Sequence, residues 1–454
     1  MSAPPATRVG TDPRARTLLA YGLPALPLAI LTIPFYVLVP AFYTQVLMLP
    51  IAAVGQVLLA VRLIDAASDP LVGVLADRWR PAFGRRRTWF AASIPFVVLG
   101  AWQVFVPGPG AGLLHLAVWG SLLSVAWSAT QVPYAAWGAE LSRSYAGRNR
   151  VTAFREAFTV VGTLLALATP ALLPALGVPG ERAVLMVFAV AIAVGLPLAA
   201  LVSMSAVPEP KDRSTARVSW REGFGHLAAN APFRRLIAAF FVNGLANGLP
   251  ATLFLFFVQH KLASPDAAGP LLVLYFVCGV AGVPFWLWLA RRTSKHRAWC
   301  IGMVTACAAF ASAPFLGPGD VTAFALICVF TGLTLGADVV LPASIQADVI
   351  DVDTAATGEE RSALYLSLWA LATKLALAGA VGIAFPLLGA AGFDPAAGRL
   401  EASGLMMLGL LYAGLPVVLK FGAIAAMWNF PLDEQTQRAL QTTIENRAVA
   451  QRGA

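Results

Sequence analysis

One pattern constrains this chain more than any other: long apolar runs recur from one end to the other. A helix needs about 20 predominantly apolar residues to cross the hydrocarbon of a bilayer. Runs of that kind begin near Thr17, Ile51, Thr88, Gly112, Val151 and Arg182, then near Phe233, Pro270, Trp299, Val321, Leu364 and Ser403. Twelve spans are expected, grouped six and six. Charge content agrees, since only 12% of the 454 residues are charged, against about 25% in a typical soluble chain. Mean hydropathy is +0.74. The expected fold class is an all-α integral membrane protein with twelve transmembrane helices in two six-helix, pseudo-symmetric bundles.

The polar stretches set the boundaries. "VPEPKDRSTARVSWREGFGHLAANAPFRR", the one long polar segment, separates the two groups of spans. The expected division is residues 1–206 as an N-terminal bundle with its tail, 207–232 as a linker, 233–430 as a C-terminal bundle and 431–454 as a tail. The polar, basic stretch before the first run reads as a tail, because a cleavable signal has an apolar core of only about 7–15 residues. Lys and Arg accumulate on the cytoplasmic side of a membrane. The loops after spans 2, 4, 6 and 8 are strongly basic, and the opposite set holds little beyond Arg182, Lys261 and Arg399. Both termini and the linker are therefore expected in the cytoplasm, with the chain in the plasma (inner) membrane. This asymmetry also accounts for the net charge of +9, and no aromatic-plus-basic nucleic-acid module is visible. The four cysteines (Cys278, Cys300, Cys307, Cys328) form no CxxC pair, so neither zinc nor a disulfide framework is expected.

Charges inside the apolar runs carry the chemistry. In "RLIDAASDP", Asp65 and Asp69 are four residues apart and share a helix face. A charge at mid-bilayer costs at least about 2.5–3.5 kcal/mol on insertion scales, so it faces the bundle interior and takes a partner. Two carboxylates on one face make a hard-oxygen site suited to Na⁺ or H⁺, and like-charge repulsion raises one carboxylate's affinity for a proton. Arg62, three residues before Asp65, is the local counter-ion candidate. Lys374, alone in "LWALATKLALAG", is expected to reach the same pair from the other half, so that a cation competes with that link. Asn243 and Asn247 in "FFVNGLANGLPATLF" also share a face, and either bond a solute or join helices. Pro250 and the glycines there suggest a broken helix, as do Pro24, Pro27, Pro34 and Pro40 in the first span. No GxxxxGK[ST] motif occurs, so transport is expected to be secondary.

Several segments resemble a known family. "GVLADRWRPAFGRRR" is similar to the loop signature of the major facilitator superfamily, carried here by Gly73, Asp77, Arg78, Gly84, Arg85 and Arg86. The resemblance implies the major facilitator fold and a cytoplasmic latch at these residues, with Asp351 among acids that pair with loop arginines as a gate. "RLIDAASDP", "PYAAWGAELSRSYAGRNRVTAFREAF" and "ADVIDVDTAATGEERSALYLSLWALATK" resemble the glycoside–pentoside–hexuronide:cation symporters, the family of the melibiose permease. That likeness implies that Asp65 and Asp69 bind the coupling cation, and that Arg155 lies near the solute with Glu156 pointing elsewhere. Ser68 stands where the melibiose permease has Asn, which makes H⁺ as good an expectation as Na⁺. The galactoside acids are absent, with Ala29 and Gln131 in their places, and Ala135 replaces a stacking Trp. Gln131, Tyr134, Trp137, Arg155, Asn243, Asn247 and Thr373 remain as candidate pocket residues, and Trp127, Trp369 and Tyr365 as further aromatic candidates. Asp338 matches nothing in the family pattern.

The first functional expectation is cation-coupled symport of a sugar or glycoside by alternating access. The alternatives are a lysolipid or other amphiphile as solute, and a proton-driven exporter. A membrane prenyltransferase stands further off: "DAASD" fits DxxxD, but no second DxxxD accompanies it. The expected partners are a small-molecule solute, the coupling cation and the lipid bilayer, with no nucleic acid, no cofactor beyond the ion and a functional monomer.

Overall fold

The computed structural model describes residues 13–78, 84–142, 145–178, 180–209, 229–357, 362–395 and 399–432, with short stretches between 436 and 443. Among these, twelve helices are long and apolar enough to cross a membrane. They are α1 Ala15–Val46, α2 Ile51–Gly73, α3 Arg86–Phe105, α4 Leu113–Gly138, α5 Arg150–Leu173 and α6 Glu181–Ala206. The second set is α7 Ala231–Lys261, α8 Pro265–Arg292, α9 Lys295–Phe315, α10 Val321–Ala356, α11 Leu364–Ala390 and α12 Ala402–Met427. The expected starts agree within a few residues, because apolar length is a strong signal in a chain that must satisfy its backbone inside lipid.

The chain divides into two compact units. One comprises residues 1–49 and 60–214, the other 50–59 and 215–454. The first turns of α2 thus belong with the C-terminal unit, where Gly55 lies against Phe385 and Gly389 against Ala52. Residues 210–228 of the expected linker lie outside the described residues, as do most of residues 433–454.

In the N-terminal unit α3 packs along α4, α1 along α5, and α3 against α6. Prolines shape α1. It turns at Leu23–Pro24, and runs of π-helix cover Pro34–Leu38 and Phe42–Val46. Pro40 has no N–H to offer the carbonyl of Tyr36, so the regular ladder cannot close there. Such π turns re-aim side chains, and they gather at functional sites.

In the C-terminal unit α8 packs on α10, and α7 lies against α11 and α12. Small residues allow the first approach: a Cβ at Gly336 would sit 2.8 Å from the carbonyl oxygen of Gly279, the close backbone contact that membrane helices use in place of a hydrophobic drive. Asn230 caps α7, accepting from the N–H of Phe233 at 3.0 Å, and Ser294 caps α9 through Arg297 at 3.3 Å. Of the flexible or broken helix expected around Pro250, no break appears at the proline itself. Regular helix continues through Pro250 to Phe256, and the irregularity follows as a π turn at Phe257–Lys261.

Candidate functional site

The second helix carries the N-terminal cluster. α-Helix extends over Ile51–Arg78 with Pro70 inside it. Pro70 lacks the N–H that would bond the carbonyl of Ala66, which frees a main-chain oxygen on the turn between Asp65 and Asp69. Asp65 is buried, and its Oδ1 accepts from the Ser128 hydroxyl of α4 at 3.1 Å. Asp69, one turn on, is half-buried. Ser68 is buried and gives its hydrogen to the main-chain oxygen of Asp65 at 2.8 Å, so its own oxygen keeps free lone pairs. This stretch and Ser128 thus supply two carboxylates, two hydroxyls and a main-chain carbonyl, hard oxygens of the kind that suits Na⁺ or a proton.

Arg62 lies near enough to Asp65 for the two charges to attract, while its Nε and Nη1 make no hydrogen bond. Its guanidinium carbon lies 3.4 Å from the Tyr36 ring centroid and 4.7 Å from that of Phe35, both in the first π turn of α1. Trp127 of α4 stands edge-on to these two rings at 6.2–6.3 Å. The long side chain reaches past the adjacent acid to the aromatic faces, where a cation is attracted by the ring quadrupole. Arg62 is 3% exposed, yet its Nε and Nη1 have no hydrogen-bond partner, and neither do Trp127 Nε1 and the Ser124 hydroxyl.

Among the other expected pocket residues, Tyr134, Trp137 and Arg155 gather around Tyr21. Tyr134 and Trp137 are fully buried in an aromatic cluster with Tyr21 and Phe90. Tyr21 and Tyr134 each donate to the other's main-chain oxygen, and Trp137 Nε1 donates to Pro208 at 3.0 Å. Their polar atoms are committed to holding the fold, which removes them from the pocket. Trp127 is the aromatic of α4 that meets the charged cluster. Gln131, one turn further along α4, is half-buried. Arg155 does not stand apart from Glu156: it grips the neighbouring carboxylate at 2.7 and 3.2 Å. An arginine fork folds back onto an adjacent acid when both lie at the partly exposed edge of a helix. Thr373 is exposed and bonds its own helix at the Trp369 carbonyl, while Lys374 beside it is half-buried. Tyr365 is buried, accepting from Asn230 at 3.0 Å, and Trp369 stacks on Phe240 at 3.6 Å.

In the C-terminal unit Asp338 of α10 is the centre of a network. Its Oδ1 accepts from Trp299 Nε1 at 2.6 Å and Asn243 Nδ2 at 3.0 Å, and its Oδ2 from Asn247 Nδ2 at 2.9 Å and Lys420 Nζ at 3.3 Å. Lys420 of α12, 1% exposed, also donates to Asn243 Oδ1 at 2.7 Å. Asn243 and Asn247 do share a face, and that face joins helices. Lys420 and Trp299 were not among the expected residues. The signal for Lys420 was present: a lone lysine within "LPVVLKFGAIAAMW" is as conspicuous as Lys374.

At the cytoplasmic edge the latch is partly described. Gly84 has φ +105°, a conformation open to glycine at little cost, and it delivers the start of the third helix to Glu209. That carboxylate accepts from the N–H groups of Arg86 and Arg87 at 2.8 and 3.3 Å, neutralising a helix N-terminus. Arg86 also pairs with Glu140 at 2.7 Å. Gly73 is half-buried in α2. The side chains of Asp77, Arg78 and Arg85 lie outside the described residues. Asp351 is half-buried near the end of α10, and Asp348, three residues before it, pairs with Lys295 at 2.7 Å. Among the described residues no group of three His, Cys, Asp or Glu side chains forms a metal cluster. The four cysteines are free.

Known proteins bear on this geometry. A family model described as MFS/sugar transport protein matches residues 20–434. A sodium-dependent lysophosphatidylcholine symporter of Danio rerio is 23% identical, over 87% of this chain and 84% of its own. A sphingosine-1-phosphate transporter of Xenopus tropicalis is 24% identical over 89% and 86%. The crystal structure of a bacterial homologue of the human lysosomal transporter Spinster, inward-facing, superposes with TM-score 0.64 at 15% identity, over 96% and 99% of the two chains. At that identity the likeness is one of fold.

Proposed function

Because the chain belongs to the MFS/sugar transport protein family, a family of multi-pass membrane transporters and not of enzymes, we propose that it is a cation-coupled symporter whose solute is a lysolipid-like amphiphile. Asp65 and Asp69 hold the coupling cation, with Ser68, Ser128 and the freed Ala66 carbonyl as further oxygens. The cation is Na⁺ or H⁺, and the sodium dependence in the name of the Danio rerio relative favours Na⁺. The protein lies in the plasma membrane with both termini cytoplasmic, and Arg86 with Glu140 and Glu209 steadies that edge.

The observation that carries the choice of solute is the fate of the aromatic residues on α4. A sugar is usually held by paired carboxylates and an open ring face. Here Ala29 and Gln131 replace the acids, and Tyr134 and Trp137 are sealed in the core. What lines the second-helix cluster is instead an aromatic group around one arginine. A sugar or glycoside remains the second reading, favoured by the family description itself.

Purified protein in liposomes, given an inward Na⁺ gradient or an inward pH gradient, is expected to accumulate lysophosphatidylcholine above equilibrium with one of them. A galactoside is expected not to accumulate. Gradient-driven uptake of the galactoside in preference to the lysolipid would sink this choice of solute.

A further inference from the structure

We propose that Arg62, Trp127 and Ser124 form an oxyanion site in the N-terminal unit, which receives a phosphate group carried by the solute. The proposal rests on the symport reading above and names the chemical class that the same region recognises.

Four buried donor positions in this region lack acceptors: Arg62 Nε, Arg62 Nη1, Trp127 Nε1 and Ser124 Oγ. A buried donor left unmade costs the full desolvation of the group, and more when it is charged. Native structures rarely tolerate one such group without a reason. Arg62 and Trp127 meet around the Phe35 and Tyr36 rings, and their unpaired N–H groups, with the Ser124 hydroxyl one turn before Ser128 on α4, are the donor set proposed to take a single acceptor-rich ligand. Ser124 is one turn before Ser128, so it lies on the α4 face that meets Asp65. The ring faces hold the guanidinium from one side and leave its edge nitrogens open. A planar fork of N–H groups matches a phosphate or carboxylate with two parallel bonds.

Asp65 attracts the guanidinium electrostatically, yet it accepts no hydrogen bond from Nε or Nη1, and in the symport reading its charge is spent on the cation.

Binding of three probes to the full chain in dodecyl maltoside, a detergent without phosphate, tests the site. The probes are lysophosphatidylcholine, a monoacylglycerol of the same acyl chain, and inorganic phosphate. Wild type is expected to bind the phosphate amphiphile about tenfold or more tightly than the monoacylglycerol. Arg62→Gln is expected to abolish that preference while changing monoacylglycerol affinity by less than about twofold. Trp127→Phe, which keeps the ring and removes only the N–H, is expected to reduce the preference by about threefold to fivefold. Competition by inorganic phosphate that vanishes in Arg62→Gln supports a site for the anion itself. Arg62-dependent binding of the lysolipid alone supports a headgroup site. A preference that survives both substitutions overturns the proposal, and so does an equal loss for both amphiphiles. If Arg62→Gln does not fold, Trp127→Phe decides. Failure of the symport reading looks different: wild type would bind but not accumulate solute on any gradient. Wild type that accumulates both amphiphiles alike would sink the oxyanion site alone.

Discussion

The two halves of the molecule each bury a basic residue among aromatic and amide groups, and they treat it in opposite ways. In the C-terminal unit Lys420 has Asp338 and Asn243 for partners, and the Asp338 carboxylate receives four donors. A carboxylate offers about four lone-pair sites, so this one is full. It has no neighbour among those four that would accept a proton from it, and it has no face left for a cation. In the N-terminal unit Arg62 rests on ring faces with Nε and Nη1 unpaired. One cluster is complete as built; the other holds unpaired donors, which in our proposal are completed by what it binds. Buried charge alone does not mark a transport site; the number of unmet hydrogen bonds separates a clasp from a receptor.

The comparison breaks most readily at the clasp. Removing one partner of a buried ion pair leaves the other uncompensated, at a cost of about 3–5 kcal/mol. Lys420→Met and Asp338→Leu are each expected to lower the melting transition of the detergent-solubilised protein sharply. The double substitution is expected to recover more than half of the loss. Melting that is unchanged in Lys420→Met would show that the network carries no stability, and the contrast between the halves would fail.

Next in size is coupling. Asp69→Asn keeps the shape and removes one negative charge from the second-helix pair. Gradient-driven accumulation of solute in liposomes is expected to fall by about tenfold or more, as befits loss of a charge-assisted ligand. Melting is expected to move little, because Asp69 is half-buried and at a site meant to change its occupant. Full accumulation in Asp69→Asn would remove the coupling assignment. The same substitution at Asp338 should show the reverse pattern, a large loss of stability before any question of transport.

These two clusters were unequally legible in the sequence. Apolar length gave the twelve spans, and four-residue spacing gave both the shared face of Asp65 and Asp69 and that of Asn243 and Asn247. Helical spacing assigns a face but not the neighbour across it. The partner of Asn243 is Lys420, 177 residues away, and that of Trp299 is Asp338, 39 residues away. Nothing local in the chain encodes either pairing. Tyr134 and Trp137 misled for the same reason, since polar aromatic residues on a span look alike whether they face a solute or seal a core. The capping of the third helix by Glu209, 123 residues from Arg86, was equally out of reach. Glu156, expected to point away from Arg155, is instead its hydrogen-bond partner.

A smaller effect is expected at the cytoplasmic edge. Glu209→Gln removes the negative charge that faces two N–H groups of the third helix, a helix-terminus interaction of about 0.3–1 kcal/mol at a partly exposed position. The melting transition is expected to fall by a degree or two, and solute affinity to stay the same. A change in solute affinity with unchanged melting would instead make this edge part of the gating equilibrium.

The smallest effect isolates the acceptor character of the N-terminal cluster. Ser68 gives its only hydrogen to the Asp65 carbonyl, so toward the carboxylate pair it presents lone pairs and nothing else. A hydroxyl oxygen held this way helps a cation, which accepts from every side, and does nothing for an anion. Ser68→Ala is expected to weaken activation of transport by Na⁺ by about threefold, the scale of one neutral hydrogen-bonding group, with the phosphate preference untouched. Ser68→Asn, which offers an amide carbonyl in its place, is expected to recover or exceed wild-type Na⁺ activation. The order Asn, Ser, Ala in Na⁺ activation places the cation at the Asp65–Asp69 turn. Equal activation in all three would leave the two carboxylates as its ligands without Ser68, and a shifted phosphate preference would mean that the cation and oxyanion sites are one.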